Sequence, residues 1–221
     1  MSNIDTQHFL QFLTTWVHDI RTPLASIAAS AEILEHHGGN HTLDQSVLIG
    51  LIARNNYRVV EEIDFLADYW RLQYLAEPIQ PVPMPLQALI DQAQLGLARL
   101  LTDDRPQLDL SIPPELPQLL TDEWLVKAFI NLLLLLANSD RGPATTIQVR
   151  ASRTAGDRVQ IVLEGNYPHT GHSDGSEVKT TAWDERYTFV TRIITQLYDG
   201  GLQHGATPGS LCYRLQLPVA P

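Results

Sequence analysis

The chain has 221 residues, 44% of them apolar, and a formal net charge of −10. This length allows one large domain or two small ones, and the apolar content is that of a folded protein rather than a disordered one. The acidic balance disfavours nucleic acid and anionic membranes as partners, because both are negatively charged. With a single cysteine, Cys212, an intrachain disulfide is excluded, which favours a reducing compartment.

Targeting signals are not evident in the sequence. Residues 1–5 lack the basic and apolar regions of a signal peptide. The longest apolar run, Leu132–Ala137, is far shorter than the roughly 20 residues that cross a membrane. We therefore expect a cytoplasmic protein.

Two amphipathic helices are predicted in residues 1–77, on either side of a glycine-containing break at 38–40. Two helices alone bury their apolar stripes poorly, so we expect a second copy to complete a four-helix bundle. Packing of the hairpin against the second half of the chain is the alternative. The two stripes consist of Leu13, Trp16, Ile20, Leu24, Ile27, Ala31 and Leu34, and of Leu48, Ile52, Val59, Ile63, Leu66 and Trp70.

A proline-rich segment, residues 78–85, is predicted to be an extended linker, because proline cannot continue a helix. Residues 86–221 alternate helices with strands, which predicts a two-layer α/β sandwich with an antiparallel sheet. The predicted helices are 86–101, 122–138 and 184–198; the predicted strands are 107–112, 145–152, 158–164 and 210–217, with a loop at 165–181.

The seven residues that begin at His18, HDIRTPL, carry the chemistry that the sequence makes recognisable. At about 100° per residue, His18 points about 160° away from the apolar stripe and is expected on the outward face of its helix. Asp19 can accept a hydrogen bond from one ring nitrogen and leave the other as a nucleophile. Arg21 offers positive charge to a phosphoryl group, Thr22 lies one turn from the histidine, and Pro23 favours a kink. An ordinary solvated helix face is the competing interpretation.

This segment resembles the H-box of histidine kinases, in the domain that dimerises and accepts a phosphoryl group. The resemblance implies that His18 carries the phosphoryl group, that Asp19 acts as a base and that Thr22 supports dephosphorylation of a partner. It implies an α + α/β fold: a helical hairpin that forms a four-helix bundle on dimerisation, then a sandwich of the histidine kinase ATPase type. Further stretches that resemble the family are LLTDEWLVKAFIN (119–131), YTFVTRIITQLYDGGL (187–202) and SLCYRLQLP (210–218).

The ATP site that the resemblance implies departs from the family pattern in three places. Leu135 stands where the long helix of the family presents a metal-binding asparagine, and leucine cannot ligate a hard cation. A shifted register that uses Asn138 is the alternative. Glu164-x-Asn166 only partly matches the Asp-x-Gly-x-Gly turn that reads adenine. Residues 184–189, DERYTF, replace a glycine-rich phosphate loop with acidic and bulky groups.

A subset of the family consists of dimeric phosphotransferases with a degenerate ATPase-like domain, and the chain resembles that subset. The resemblance implies a phosphorelay protein that carries a phosphoryl group on His18 between receiver-domain aspartates, without ATP-dependent autophosphorylation. Expected partners are a second copy, response-regulator receiver domains and an upstream histidine kinase. No cofactor or metal is expected on this chain, because Mg²⁺ is expected to come with the receiver domain. The alternatives are a divergent ATP-dependent sensor histidine kinase and a non-enzymatic scaffold or phosphatase for a response regulator.

Overall fold

The computed structural model describes residues 3–36, 45–73, 79–101, 106–139, 142–154, 156–167, 181–207 and 209–220. The chain divides into two compact units, residues 1–75 and 76–221. The first unit contains two long helices, α1 (Asn3–His36) and α2 (Gln45–Gln73). The predicted helical hairpin is therefore confirmed, while the break predicted at 38–40 lies outside the described residues.

α1 and α2 pack along one stripe of each helix. Trp16 Nε1 donates a hydrogen bond to the carbonyl oxygen of Glu62 at 2.9 Å. Further along the pair, Asn55 Nδ2 donates to Ser26 Oγ at 3.1 Å. Pro23 is buried within α1, between these two contacts in the sequence. These contacts fix which stripe of α1 faces α2 and leave the remaining faces of the helix to solvent or to partners.

The second unit alternates strands with helices. Its elements are β1 (Val82–Met84), α3 (Leu86–Leu100), β2 (Gln107–Ser111), β3 (Leu119–Thr121), α4 (Glu123–Ala137), β4 (Asn138–Ser139), β5 (Gly142–Pro143), β6 (Thr146–Thr154), β7 (Arg158–Asn166), α5 (Thr181–Arg192), β8 (Gly201–Thr207) and β9 (Ser210–Pro218). Five strands form the main sheet in the order β2–β6–β7–β9–β8. α4 packs against β6, β7 and β9, so the unit has the predicted two-layer α/β architecture.

Four details differ from the prediction. The main sheet is mixed rather than antiparallel, because β2 runs parallel to β6 and a connection through α4 joins them. The linker predicted at 78–85 contains β1, which pairs antiparallel with β3 and so belongs to the second unit. The helix predicted at 184–198 ends as α5 at Arg192, and a π-helical segment, Ile193–Leu197, follows it. β8, which the sequence did not predict, pairs antiparallel with β9 along the edge of the sheet.

α4 forms the centre of the core of the second unit. Eleven of its fifteen residues are buried, and the helix packs against α3 and α5 as well as against the sheet. Full burial of a leucine side chain contributes about 1.5–3 kcal/mol to stability, so the leucine run at 132–136 accounts for much of the apolar stabilisation.

The first turn of α4 is capped by Asp122. Asp122 Oδ1 accepts hydrogen bonds from the backbone nitrogens of Trp124 at 2.8 Å and Leu125 at 3.3 Å. The same oxygen accepts a hydrogen bond from the hydroxyl of Tyr198, at the end of the π-helical segment. Burial, then this hydrogen bond and the negative charge of Asp122, raise the pKa of Tyr198 above its ordinary value. Asp122 therefore joins the start of α4 to the C-terminal part of the unit.

We expect Asp122→Ala to lower the free energy of unfolding of the second unit by about 1–2 kcal/mol, because two backbone N–H groups lose their cap and the Tyr198 hydroxyl loses its acceptor. Urea unfolding followed by tryptophan fluorescence measures the change. Asp91→Ala, which removes an exposed carboxylate on α3, is the matched control and should change stability by less than about 0.5 kcal/mol. Equal unfolding curves for the two variants would contradict the capping role.

Candidate functional site

The predicted phosphoryl-acceptor residues lie on α1, in the first unit. The side chains of His18, Arg21 and Thr22 are exposed, on the side of the helix away from Trp16 and its contact with α2. Positions three and four residues apart are neighbours on a helix surface, so Arg21 and Thr22 both lie next to His18. Asp19 follows His18 in the helix, and its side chain lies outside the described part of the structure. The predicted exposure of His18 is confirmed, whereas the roles of these residues stay predictions.

Two alanines continue the surface that begins with His18 and Thr22. Ala25 and Ala29 are exposed, seven and eleven residues after the histidine, so they lie on the same face of α1. Their short side chains leave the helix backbone accessible about two and three turns beyond His18. No role was predicted for these two positions, and their helical spacing from His18 is the sequence signal by which they could have been found.

In the second unit, the alternation of β7 decides which residues face the helices. Glu164 lies on the open face of the sheet, where Oε2 accepts from Arg150 Nη2 at 2.5 Å and Oε1 accepts from Ser210 Oγ at 2.8 Å. Gly165, the next residue, faces α4 and lies against Leu136. The partial match of Glu164-x-Asn166 to an adenine-reading turn stays a prediction. The buried residues of this stretch are Val159, Ile161, Leu163, Gly165 and Tyr167.

The helix position predicted to lack a metal ligand is fully enclosed. Leu135 is 1% exposed and belongs to the core of the unit. α4 ends at Ala137, so Asn138 lies beyond the helix, in β4, where it pairs with Pro143. The alternative register, in which Asn138 would take the place of the helical asparagine, is therefore not supported.

Arg186 supplies positive charge to Asn131, the buried polar residue of α4. Asn131 is 7% exposed, and its Oδ1 accepts a hydrogen bond from Arg186 Nη1 at 2.7 Å. Its Nδ2 donates to the carbonyl oxygen of Lys127 at 2.9 Å. Arg186 belongs to the segment predicted to present acidic and bulky groups, so the structure adds a cation there that the sequence analysis missed.

Aromatic side chains gather where α5 meets the sheet. The Tyr187 ring lies 5.9 Å from the Tyr213 ring, stacked, and 5.1 Å from the His204 ring, edge-on. Burial raises the pKa of Tyr213 above its ordinary value, and the neighbouring Tyr167, Tyr187 and Cys212 add to this effect. Three tyrosines therefore crowd the α5 side of this region.

Two further properties bear on the kind of site. Within the ranges that the structure describes, no three side chains of the metal-ligating types His, Cys, Asp and Glu come together. Among those same residues, no helix has both the length and the apolarity that a membrane crossing requires.

α2 has a second apolar stripe that does not face α1, and we call it the seam. Its members follow one another at alternating steps of four and three residues, the heptad spacing by which helices pair. Ile49, Val60 and Ile63 are 58%, 47% and 49% exposed. The full seam consists of Ile49, Ala53, Asn56, Val60, Ile63 and Ala67, all exposed.

Comparison with known proteins identifies relatives that share parts of this sequence and its fold. Residues 10–73 match the His Kinase A (phospho-acceptor) domain. The sensory histidine kinase/phosphatase NtrB of Rhodobacter capsulatus is 23% identical over 92% of this chain, which spans 60% of the length of that relative. The histidine kinase AdeS of Acinetobacter baumannii superposes with a TM-score of 0.63 and 12% identity, over 92% of this chain and 98% of that one. A structure described as a bacterial phosphotransferase superposes over 97% of both chains, with a TM-score of 0.53 and 16% identity.

Residues 10–73 therefore match a phospho-acceptor domain, and the chain has the fold of a histidine kinase core: a helical hairpin followed by a domain with the fold of the histidine kinase catalytic domain.

If the seam joins two copies of the chain, we expect Val60→Asp to convert the dimer to a monomer, because an unpaired carboxylate would be buried in an apolar contact. Sedimentation equilibrium measures the change. Val82→Asp is the matched control, since it makes the same substitution at a valine that is 56% exposed but lies in the second unit, and it should leave the dimer intact. A Val60→Asp protein that remains dimeric would place the interface elsewhere.

Proposed function

We propose that the chain is a dimeric histidine phosphotransferase of a two-component phosphorelay, in which His18 carries a phosphoryl group between receiver-domain aspartates without ATP-dependent autophosphorylation. The observation that carries the proposal is the burial of Leu135, at the position where the resemblance implies a metal ligand, in a chain whose His18 is exposed. The histidine that would accept the phosphoryl group is accessible, whereas the unit that would bind ATP has an apolar side chain, Leu135, in place of a polar one.

The transfer step needs only groups that α1 and a docked receiver provide. A ring nitrogen of His18 attacks the phosphorus of the receiver's aspartyl phosphate; a P–N bond forms while the P–O bond breaks, and the aspartate leaves as a carboxylate. Asp19 would hold the proton on the other ring nitrogen, and Arg21 would neutralise charge on the phosphoryl oxygens. Attack by the aspartate of a second receiver reverses the step and restores the imidazole. The Mg²⁺ of this chemistry would belong to the receiver.

The helix-facing side of β7 supports the absence of ATP use. Gly165 offers no acceptor for an adenine amino group at the position that faces α4, and Glu164 is bound to Arg150 on the opposite face. The amide oxygen of Asn131 is already bonded to Arg186. The polar groups in this region therefore bind one another rather than pointing into an open site.

A divergent ATP-dependent sensor histidine kinase is the second candidate. It is favoured by the relatives themselves, since NtrB is a sensory histidine kinase/phosphatase and AdeS is a histidine kinase. A scaffold or phosphatase for a response regulator is a third reading, in which Thr22, exposed one turn from His18, would hold a water near the receiver. Two experiments separate these three candidate functions.

We expect His18→Ala to abolish uptake of phosphate from a ³²P-labelled receiver domain, because the only proposed nucleophile is lost. The variant should remain dimeric in sedimentation, since His18 is exposed and lies away from α2. Asp91→Ala, which removes an exposed carboxylate on α3, is the control and should transfer normally. Transfer that survives in His18→Ala would refute the proposal. Receiver dephosphorylation that survives in His18→Ala but is lost in Thr22→Ala would favour the phosphatase reading.

Calorimetric titration of the intact protein with ATP and Mg²⁺ should give no saturable heat up to millimolar concentrations, an affinity weaker than about 4 kcal/mol. The physical reason is the missing metal ligand at Leu135 and the missing acceptor at Gly165. Incubation with γ-labelled ATP should accordingly leave His18 unlabelled. Saturable binding together with labelled His18 would establish the sensor kinase instead.

A further inference from the structure

The main sheet has an open edge at β2. This strand stands at one end of the sheet order and pairs parallel with β6. The Gln107 backbone nitrogen donates to the carbonyl oxygen of Thr145 at 3.1 Å, so the backbone groups of Gln107 and of every second residue after it point toward β6. The backbone groups of Leu108 and Leu110 therefore point the other way, where none of the described strands pairs with them. An edge of this kind is a template for a further strand.

A groove of about 410 Å³ lies between α3 and the start of β2, and its lining is mostly apolar. Leu95 lines it from α3 and is 68% exposed, more than any other large apolar side chain in the described part of the chain. Ala98, Pro106 and Leu108 line it as well. Residues directly opposite each other on paired strands point to the same face. An apolar side chain opposite Leu108 on an added strand would therefore enter the groove and cover Leu95.

Asp109 gives the edge a negative charge on its other face. Its side chain is exposed, and its Oδ2 accepts only a long hydrogen bond from Gln148 Nε2, at 3.4 Å. Arg150, the next basic residue of β6, is bound to Glu164 instead. In an antiparallel pair, the residue opposite Asp109 would belong to a non-hydrogen-bonded pair, in which side chains approach most closely. A basic side chain at that position would meet the carboxylate.

A second copy of β2 does not meet these requirements. Antiparallel pairing of two copies in the fully overlapped register would place two Asp109 carboxylates directly opposite each other, and like charges there are destabilising. The formal net charge of −10 on each chain adds to the repulsion. The charge of the edge therefore favours a basic partner over the chain itself.

We propose that the edge of β2 and the groove beside α3 bind an extended segment of a partner protein that carries a basic residue between two apolar ones. The segment adds a sixth strand, antiparallel to β2. Its backbone pairs with Leu108 and Leu110, its apolar side chains enter the groove, and its basic side chain meets Asp109. The inference goes beyond phosphoryl transfer, because none of the residues proposed to carry or position the phosphoryl group takes part.

A pair of labelled peptides tests the charge requirement. The probe is Ser-Thr-Val-Lys-Val-Thr-Ser, its counterpart has glutamate in place of lysine, and fluorescence polarisation with the intact protein measures binding. We expect the lysine peptide to bind about tenfold more tightly, because an attractive cross-strand pair replaces a repulsive one. Asp109→Lys should reverse this preference. Glu115→Lys makes a like charge change at an exposed position outside β2 and should leave the preference as it is.

A proline substitution tests the backbone requirement. Leu110→Pro removes an N–H group that points away from β6, and proline is tolerated at such positions of edge strands. It should weaken the binding of both peptides by about tenfold, because one main-chain hydrogen bond of the added strand is lost. Circular dichroism checks that the variant is folded. If it is not folded, the charge reversal in Asp109→Lys decides the matter, since Asp109 is exposed.

Three results would overturn the proposal. The first is no binding of the lysine peptide at millimolar concentration, which would leave Asp109 as a charge that protects the edge from pairing. The second is equal affinity for the two peptides, or a preference that Asp109→Lys does not reverse. The third is self-association of the protein that Leu110→Pro abolishes, because a second copy would then be the occupant of the edge.

Discussion

A helix that is buried on nearly every side must be apolar on nearly every side, and α4 imposes this constraint on the second unit. The sheet, α3 and α5 all pack against it. Leucines fill positions 132–136, so the side of the helix that faces the sheet and the side on which a nucleotide would bind are both apolar. Asn131 is the buried polar exception among the described residues of the helix, and burial obliges both ends of its amide to find partners, in Arg186 and the Lys127 carbonyl. The electrostatics of the region follow from that requirement.

The period-two alternation of β7 is the second constraint. Successive side chains of a strand point to opposite faces, so a shift of one residue moves a group from the helices to the open face. Glu164 and Gly165 are neighbours in sequence, yet one binds Arg150 on the open face and the other lies against Leu136. The Glu164 carboxylate therefore cannot replace a carboxylate at position 165, because the two positions face opposite sides of the sheet.

Local periodicity was sufficient to predict most of the elements, and non-local pairing accounts for the rest. α1, α2, α4 and the β6–β7 hairpin carry strong signals of their own. β8 has the sequence GLQHGAT, with two glycines and no apolar alternation, and it is a strand because β9 pairs with it. The parallel direction of β2 depends on the crossover through α4, which spacing does not reveal.

The same limit applies to the candidate site. The exposure of His18 follows from the angle between one residue and a stripe on its own helix, which the sequence contains. The bond between Arg186 and Asn131 joins residues 55 positions apart, and that between Tyr167 and Leu136 joins residues 31 positions apart. Pairings at these separations are set by the packed fold.

α1 has three faces with different surroundings. Contact with α2 takes the stripe that includes Trp16, and exposed apolar side chains, Val17 and Leu24, lie on the adjacent face. His18 lies roughly 100–120° around the helix from those two side chains, on a face that includes neither them nor the contact with α2. A phosphoryl carrier that exchanges with other proteins requires such a face, because its nucleophile has to stay accessible while the bundle stays assembled. Pro23 is buried on the helix-packing side, so the position that favours a kink lies within the contact between the helices and His18 lies outside it.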